Sequence, residues 1–557
     1  MASYGERTGG RILVDQLIAQ GVTRATCVPG ESYLAVLDAL HDASIDVLVC
    51  RNEAGAAMMA EAEGKLTGRP GILFVTRGPG ATNASPGIHI ARQDSTPMIV
   101  FVGQIDRSMR EREAFQELDY RAVFGTLAKW AVEIDDSRRI PEIVARAFRV
   151  AMQGRPGPVV VALPEDMLTD TAAVPDAPRV EPVEPWPAPG DIRRLGECLA
   201  TAKKPLVILG GARWNDEARE ATVRFAERFE LPVATSFRRA DLFPADHRCY
   251  AGDVGINPGP AMTARVKEAD LILLVGGRMS EMPSSSYTLL DIPVPRQVLV
   301  HVYPDATELG RVYQPTLAIE ASPEAFALSL DTLATPTEIP WQGAREEGHA
   351  AYLERTEAPK PIPGAFQYGE AVTWLRDTLP DDAIVTNGAG NFAVWAHRFM
   401  RMTGRRLHLA PTSGSMGYGP PAAIMAKRVH PDRTVVCFAG DGDFLMNGQE
   451  FATAVQHGIA PIIVVVDNGM YGTIRMHQER DYPGRVSATA LANPDFAAYA
   501  RAFGGHGERV ERTEEFAPAF RRAQESGKAA ILHCILDPQA ITPDRTLDDI
   551  STAGSRR

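Results

Sequence analysis

Residues 434–468, TVVCFAGDGDFLMNGQEFATAVQHGIAPIIVVVDN, constrain this chain more than any other stretch. An apolar, β-rich run ends in Gly440-Asp441-Gly442, a helical stretch follows, and a second apolar run ends in Asp467-Asn468. Strand, turn, helix and strand form the unit of a parallel sheet. That unit brings both strand ends to one edge, where open α/β sheets bind ligands. Glycines let backbone approach a phosphate, and the helix N-terminus offers free N–H groups to an anion. Asp441 and the amide oxygen of Asn468 are hard donors suited to Mg2+, which keeps phosphate oxygens in its shell. Either turn alone is commonplace. Together, with 24 residues between Gly442 and Asp467, they read as a site for a metal-bridged diphosphate.

The same alternation fills the rest of the chain. Block one carries ATCVP, IDVLVC, GILFVT, MIVFVG and GPVVVAL. Block two carries PLVILGG, LPVATS, DLILLVGG and QVLVHVY. Block three carries AIVTNG, TVVCFAG, PIIVVVDN and AILHCILD. Proline-rich stretches at 171–190 and 335–363 separate the blocks, the second with room for a short helix. The expected class is α/β: three consecutive domains, 1–172, 190–335 and 362–542, with parallel sheets flanked by helices. The 557 residues, 45% apolar and 23% charged, are enough for three or four domains of ordinary soluble composition. A net charge of -12 argues against a nucleic-acid partner. Six cysteines without a CxxC spacing read as buried free thiols in a reducing compartment. No run reaches the length of a membrane span and the first residues hold no apolar signal core, so a cytoplasmic protein is expected. The polar tail from Thr542 onward reads as mobile.

Further motifs precede the diphosphate site. Arg51-Asn52-Glu53-Ala54-Gly55-Ala56-Ala57 closes a strand and opens a helix. GPGATN runs from Gly78 to Asn83, Asp94-Ser95-Thr96-Pro97 follows, and Ala114-Phe115-Gln116-Glu117 comes next. In this order they resemble the pyrimidine-binding domain of the acetolactate synthase and pyruvate oxidase group of thiamine diphosphate enzymes. The GDG stretch resembles that family's diphosphate motif, with Asp467 in place of its first asparagine. The resemblance spans nearly the whole chain. It implies thiamine diphosphate and Mg2+, the metal held by Asp441, Asn468 and the backbone carbonyl of Met470. Glu53 takes the role of the acid beside the cofactor's pyrimidine ring, where a carboxylate stabilises the tautomer whose imino group deprotonates the thiazolium carbon. Met416, in TSGSMGYG, takes the place of the apolar residue under the bent cofactor. Pro29, Gly30, Asn83, Asn391, Gly440, Gly442, Asp443 and Tyr471 complete the implied cofactor contacts. Family members join Glu53's domain to the diphosphate domain of another subunit, so a homodimer or homotetramer is expected.

The implied reaction is decarboxylation of a 2-oxo acid with carboligation, as in acetolactate synthase, with Gln116 in the place of its active-site glutamine. Arg155, Gly210, Gly211 and Asp305 match positions of a flavin (FAD) site in the middle domain, yet that domain lacks other runs of the synthase. Two departures concern the substrate pocket: Glu31 replaces a glycine of Pro-Gly-Gly, and Glu165 replaces the lysine of Pro-Lys-Asp. They imply an added negative charge that disfavours a carboxylate-bearing acceptor. The stretch NGMYGTIRMHQE resembles benzoylformate decarboxylase, so a decarboxylase or carbon–carbon lyase without condensation is the alternative. A non-catalytic cofactor-binding paralogue would have no use for Glu53.

Overall fold

The structure is a computed structural model and describes residues 5–556. Three six-stranded sheets, parallel throughout, follow one another along the chain. The first holds β1 (Arg24–Cys27), β2 (Asp46–Val49), β3 (Gly71–Val75), β4 (Met98–Gln104), β5 (Trp130–Glu133) and β6 (Pro158–Pro164), in the order β2-β1-β3-β4-β6-β5. The second holds β7 (Pro205–Leu209), β8 (Val233–Ser236), β9 (Tyr250–Val254), β10 (Leu271–Val275), β11 (Val298–Tyr303) and β12 (Leu317–Glu320), in the order β9-β8-β7-β10-β11-β12. The third holds β13 (Ile384–Asn387), β14 (Leu407–Leu409), β15 (Val435–Gly440), β16 (Ile462–Asp467), β17 (His506–Val510) and β18 (Ala530–Ile535), in the order β14-β13-β15-β16-β18-β17.

Two topological facts follow. The first and third sheets share one strand order, so their loops correspond one to one. The middle sheet has the order of the doubly wound dinucleotide-binding fold, with its switch point between β7 and β10. The central strands are continuous apolar runs because helices cover both faces; every residue of β4, β6 and β15 is buried.

The outer domains pack through equivalent helices, α1 (Glu53–Thr67) after β2 and α2 (Gly419–Val429) after β14. Alanines on both, from Ala56 to Ala62 and from Ala422 to Ala426, let the backbones approach and join one apolar core. Asn52 caps α1, its side chain accepting the Ala54 N–H at 2.8 Å. Buried Glu61 crosses the seam and accepts the Tyr418 hydroxyl at 2.6 Å.

The polar tail is ordered, against expectation. Helix α5 (Leu547–Ser555) lies on α4 (Gly472–Asp481), with α3 (Asp441–Asn447) between α2 and α4 in sequence. Thr546 and Asp549 form a capping box, and Leu547 and Ile550 join Ile541 in a small apolar cluster against Met476. Gly554 is required where the helices cross, since a Cβ there would lie 2.6 Å from the carbonyl oxygens of Glu479 and Arg480. All six cysteines are free, and five are buried.

Candidate active site

In the third sheet, the loops after β13, β14, β15 and β16 meet at the strands' C-terminal edge. Gly440, Asp441, Gly442 and Asp443 pass directly from β15 into α3, all buried. Glycine is needed at both turn positions: a Cβ on Gly440 would meet Phe392 at 2.8 Å, and one on Gly442 would meet Tyr471 at 2.6 Å. Asp443 ties the edge together. Its Oδ1 accepts the N–H groups of Ala389 and Gly417, each at 2.9 Å, while Oδ2 is buried without a partner. Burial pushes Asp443 up to about 7. Asn391, on the same edge, donates to the Ile541 carbonyl at 2.9 Å and accepts the Thr473 hydroxyl at 2.9 Å. Met416 is only partly buried, unlike an ordinary core methionine.

Asn493 links the two strand ends, donating to Asp441 Oδ2 at 2.7 Å and to Asp467 Oδ1 at 2.8 Å. Burial, with Asp467 close by, pushes Asp441 up to about 6. Burial also acts to raise Asp467, but the bonds from His533 (2.9 Å) and Asn493 hold it below its usual range. The Asn468–Tyr471 loop turns at Gly469, with φ +68°, and is pinned by backbone bonds to Thr489 and Leu491. These partly exposed backbone groups surround a buried carboxylate, a donor set that fits Mg2+ and a diphosphate.

In the first sheet, the loops after β1, β2, β3 and β4 form the corresponding edge. Glu53 is 8% exposed at the start of α1, and Asn83 donates to its Oε2 at 3.1 Å. A Cβ on Gly80 would lie 3.1 Å from Glu53 Oε1, and one on Gly78 (φ +58°) would lie 2.8 Å from Gln116 Cβ. Gln116 itself has φ +66°. Gly30 fits only without a side chain, its Cβ position lying 2.3 Å from Thr76 Cβ, next to Pro29. Glu31 and Glu165, read from sequence as added negative charge, are both held by the buried Arg77. Its guanidinium donates to Glu165 Oε2 at 2.7 Å and to Glu31 Oε1 at 2.9 Å. The added charge is therefore partly compensated.

Within one chain Glu53, Asn83, Gln116, Pro29 and Gly30 gather on one edge, and Asp441, Asn468, Met470, Met416 and Asn391 on the other. The start of α1 meets the third domain at Glu450, which accepts the N–H groups of Arg51 and Asn52. Arg155 and Asp305 come together at the seam between the first two domains. There the Arg155 N–H donates to Asp305 Oδ2 at 3.4 Å, and its side chain pairs with Glu308 at 3.3 Å. Gly211 lies apart, lining a cleft of about 1900 Å3 between the three domains with Gly276, Gly277 and Arg278. Gly210 packs beside it, its Cβ position 3.0 Å from Gly277 Cα.

Three family models match the chain in order. They are "Thiamine pyrophosphate enzyme, N-terminal TPP binding domain" over residues 7–123, the central domain of that family over 192–330, and its C-terminal TPP binding domain over 388–534. The acetolactate synthase isozyme 2 large subunit of Escherichia coli strain K12 is 32% identical over 535 residues, 95% of each chain. The chain belongs to the thiamine pyrophosphate enzyme family. The acetolactate synthase large subunit of Parasynechococcus marenigrum strain WH8102 is 33% identical over 91% of this chain and 84% of its own. The acetolactate synthase of Bacillus subtilis strain 168 is 29% identical over 96% of this chain and 94% of its own.

Several residues that shape this thiamine pyrophosphate enzyme's edges carry no motif in the sequence. Asn493 lies 52 positions from Asp441, and no local spacing could reveal it. Arg77 had a signal, a basic residue directly before GPGATN in an otherwise apolar strand end.

Proposed function

We propose that the chain is a thiamine diphosphate- and Mg2+-dependent enzyme that decarboxylates a 2-oxo acid and transfers the acyl unit to a second carbonyl compound. On this reading it works in the cytoplasm as a homo-oligomer with active sites shared between copies. Glu53 carries the reading. A buried carboxylate at a strand-end edge is costly, and a protein that merely binds the cofactor has no use for it. Asp441, Asn468 and the Met470 carbonyl would hold the metal; the Gly440–Asp443 turn and the loops of Asn391, Met416 and Tyr471 would hold the diphosphate side. Bound there, thiamine diphosphate supplies a carbon nucleophile and an electron sink for cleavage beside a keto group. Glu53 is the acid–base group, with Asn83 orienting one of its oxygens, and Gln116 faces the loop that touches Glu53.

Sharing between copies is supported by what flanks the two edges. Leu445 and Met446, on the helix that opens with Asp441, are 44% and 45% exposed, and Phe115, next to Gln116, is 71% exposed. A second copy would cover these apolar groups and bring the two edges together.

The middle domain's strand order and the cleft at its switch point fit a dinucleotide. Of the four residues expected on FAD, only Gly211 lines that cleft, while Arg155 and Asp305 are engaged with each other and with Glu308. FAD is therefore proposed for the cleft through Gly211 and Gly276–Arg278 alone, with the visible spectrum of the purified protein as its test. A second reading, decarboxylation with release of aldehyde, is favoured by the Glu31 carboxylate.

The E53Q variant tests the function. Cofactor binding by calorimetry is expected to survive, while 2-oxo acid turnover falls by about 100-fold or more. Unchanged turnover would remove the basis of the reading.

A further inference from the structure

The loop from Thr76 to Gly80 touches Glu53 at one end and carries Arg77 at the other. Arg77's side chain is 8% exposed, and it holds Glu31, 65% exposed, and Glu165, 36% exposed. Ser32 fixes the loop's base, its hydroxyl 2.9 Å from that of Thr76. Behind the triad lies a pocket of about 370 Å3 lined by Glu31, Asp106, Glu165 and Asp166. Arg107 pairs with Asp166 at 2.7 Å and with Asp170 at 2.6 Å. Two arginines thus face five carboxylates, and the loop that carries Arg77 reaches the candidate catalytic acid at Gly80.

From this arrangement, and resting on the 2-oxo acid reading above, we infer that Glu31, Arg77 and Glu165 select an uncharged acceptor, an aldehyde, over a second 2-oxo acid. The guanidinium that could receive an acceptor's carboxylate already holds two. A third must approach an exposed glutamate or displace one, leaving a carboxylate unpaired next to a buried cation. An aldehyde meets neither cost. In the reaction the donor's bond between C1 and C2 breaks and CO2 leaves. The electron pair left on C2 forms the bond to the aldehyde carbon, and the aldehyde oxygen takes one proton, giving a 2-hydroxyketone.

The test uses the full chain with thiamine diphosphate and Mg2+. Pyruvate, 2-oxobutyrate and benzoylformate are offered in turn as donors, with acetaldehyde and pyruvate as acceptors at equal concentration, and products are read by NMR without quenching. The native chain is expected to give the hydroxyketone in about tenfold or greater excess over the hydroxy acid. E31Q/E165Q frees Arg77 of both charges while keeping side-chain oxygens for its N–H groups, and should move the ratio about tenfold toward the hydroxy acid. Melting temperatures check that the variant is folded, and the single E31Q variant, changed at an exposed side chain, repeats the measurement if the double one is not. A ratio that stays within about twofold in the folded variant, a native preference for the hydroxy acid, or aldehyde release without ligation overturns the inference. If none of the donors loses CO2, the 2-oxo acid reading fails and the inference falls with it.

Discussion

Asp94 of the first domain accepts both the N–H group and the hydroxyl of Thr412 in the third, the N–H at 2.9 Å. Thr412 begins the loop that carries Met416, and Asp94 is itself paired with Lys65, which also reaches Glu61 at 3.2 Å. One carboxylate therefore fixes a loop of the candidate cofactor site from another domain.

Removing that carboxylate leaves a largely buried lysine with Glu61 as its one remaining carboxylate, beside the Ala410 carbonyl at 3.2 Å. D94A is expected to cost about 3 kcal/mol of stability, measured as a fall in the melting temperature of the cofactor-free protein, and to weaken thiamine diphosphate binding. An unchanged melting temperature would show that the seam does not depend on Asp94.

His397 and His408 both donate through Nε2 to Asn387 Oδ1, at 3.3 and 2.7 Å, and His408 Nδ1 is buried without a partner. Protonation would place an N–H where nothing accepts it, and burial holds His408 down to about 4. The folded pKa lies below the unfolded value, so the unfolded chain takes the extra proton first. Stability is intact above about pH 6.5 and is lost as pH falls toward 4, by up to about 3 kcal/mol from this residue. Melting curves between pH 7 and 5 should show the fall, and H408Q should flatten it. An equal slope in the variant would assign acid lability elsewhere.

Shared sites between copies predict complementation. E53Q and N468A chains are each expected to be inactive alone. In a mixed dimer one site carries both lesions and the other carries neither, so activity should return to about half the native level. No recovery in a verified mixed dimer would place both residues in one chain's site.

G554L should lift α5 from α4, because any Cβ there meets two carbonyl oxygens. The expected result is faster tryptic cleavage at Arg545, with a stability loss of about 1–3 kcal/mol. Cleavage at the native rate would mean the tail helix accommodates the side chain.

Most of the fold was legible because central parallel strands must be apolar throughout. The five strands of the six-stranded sheets that the apolar pattern missed, β5, β9, β12, β14 and β17, are all at sheet edges. An edge strand has one neighbour and a partly solvated face, so β12 reads LAIE with alternate residues exposed and β17 reads HGERV. The order of the tail was not legible because its polarity outweighed a capping signal at Thr546 and Asp549 and the few buried apolar residues, among them Leu547 and Ile550. The positions of Glu53, Asp441 and Asn468 just beyond strand ends were legible because apolar runs stop shortly before them. The pairing of Glu31 and Glu165 with Arg77 was not, because it joins three loops far apart in sequence.

The most direct measurement is product analysis of the purified chain with thiamine diphosphate, Mg2+ and a panel of 2-oxo acids starting with pyruvate, following CO2 release and the organic product together. The expected result is cofactor-dependent CO2 release matched by a hydroxyketone, a hydroxy acid or an aldehyde. Tight cofactor binding with no CO2 released from any 2-oxo acid would contradict the central claim.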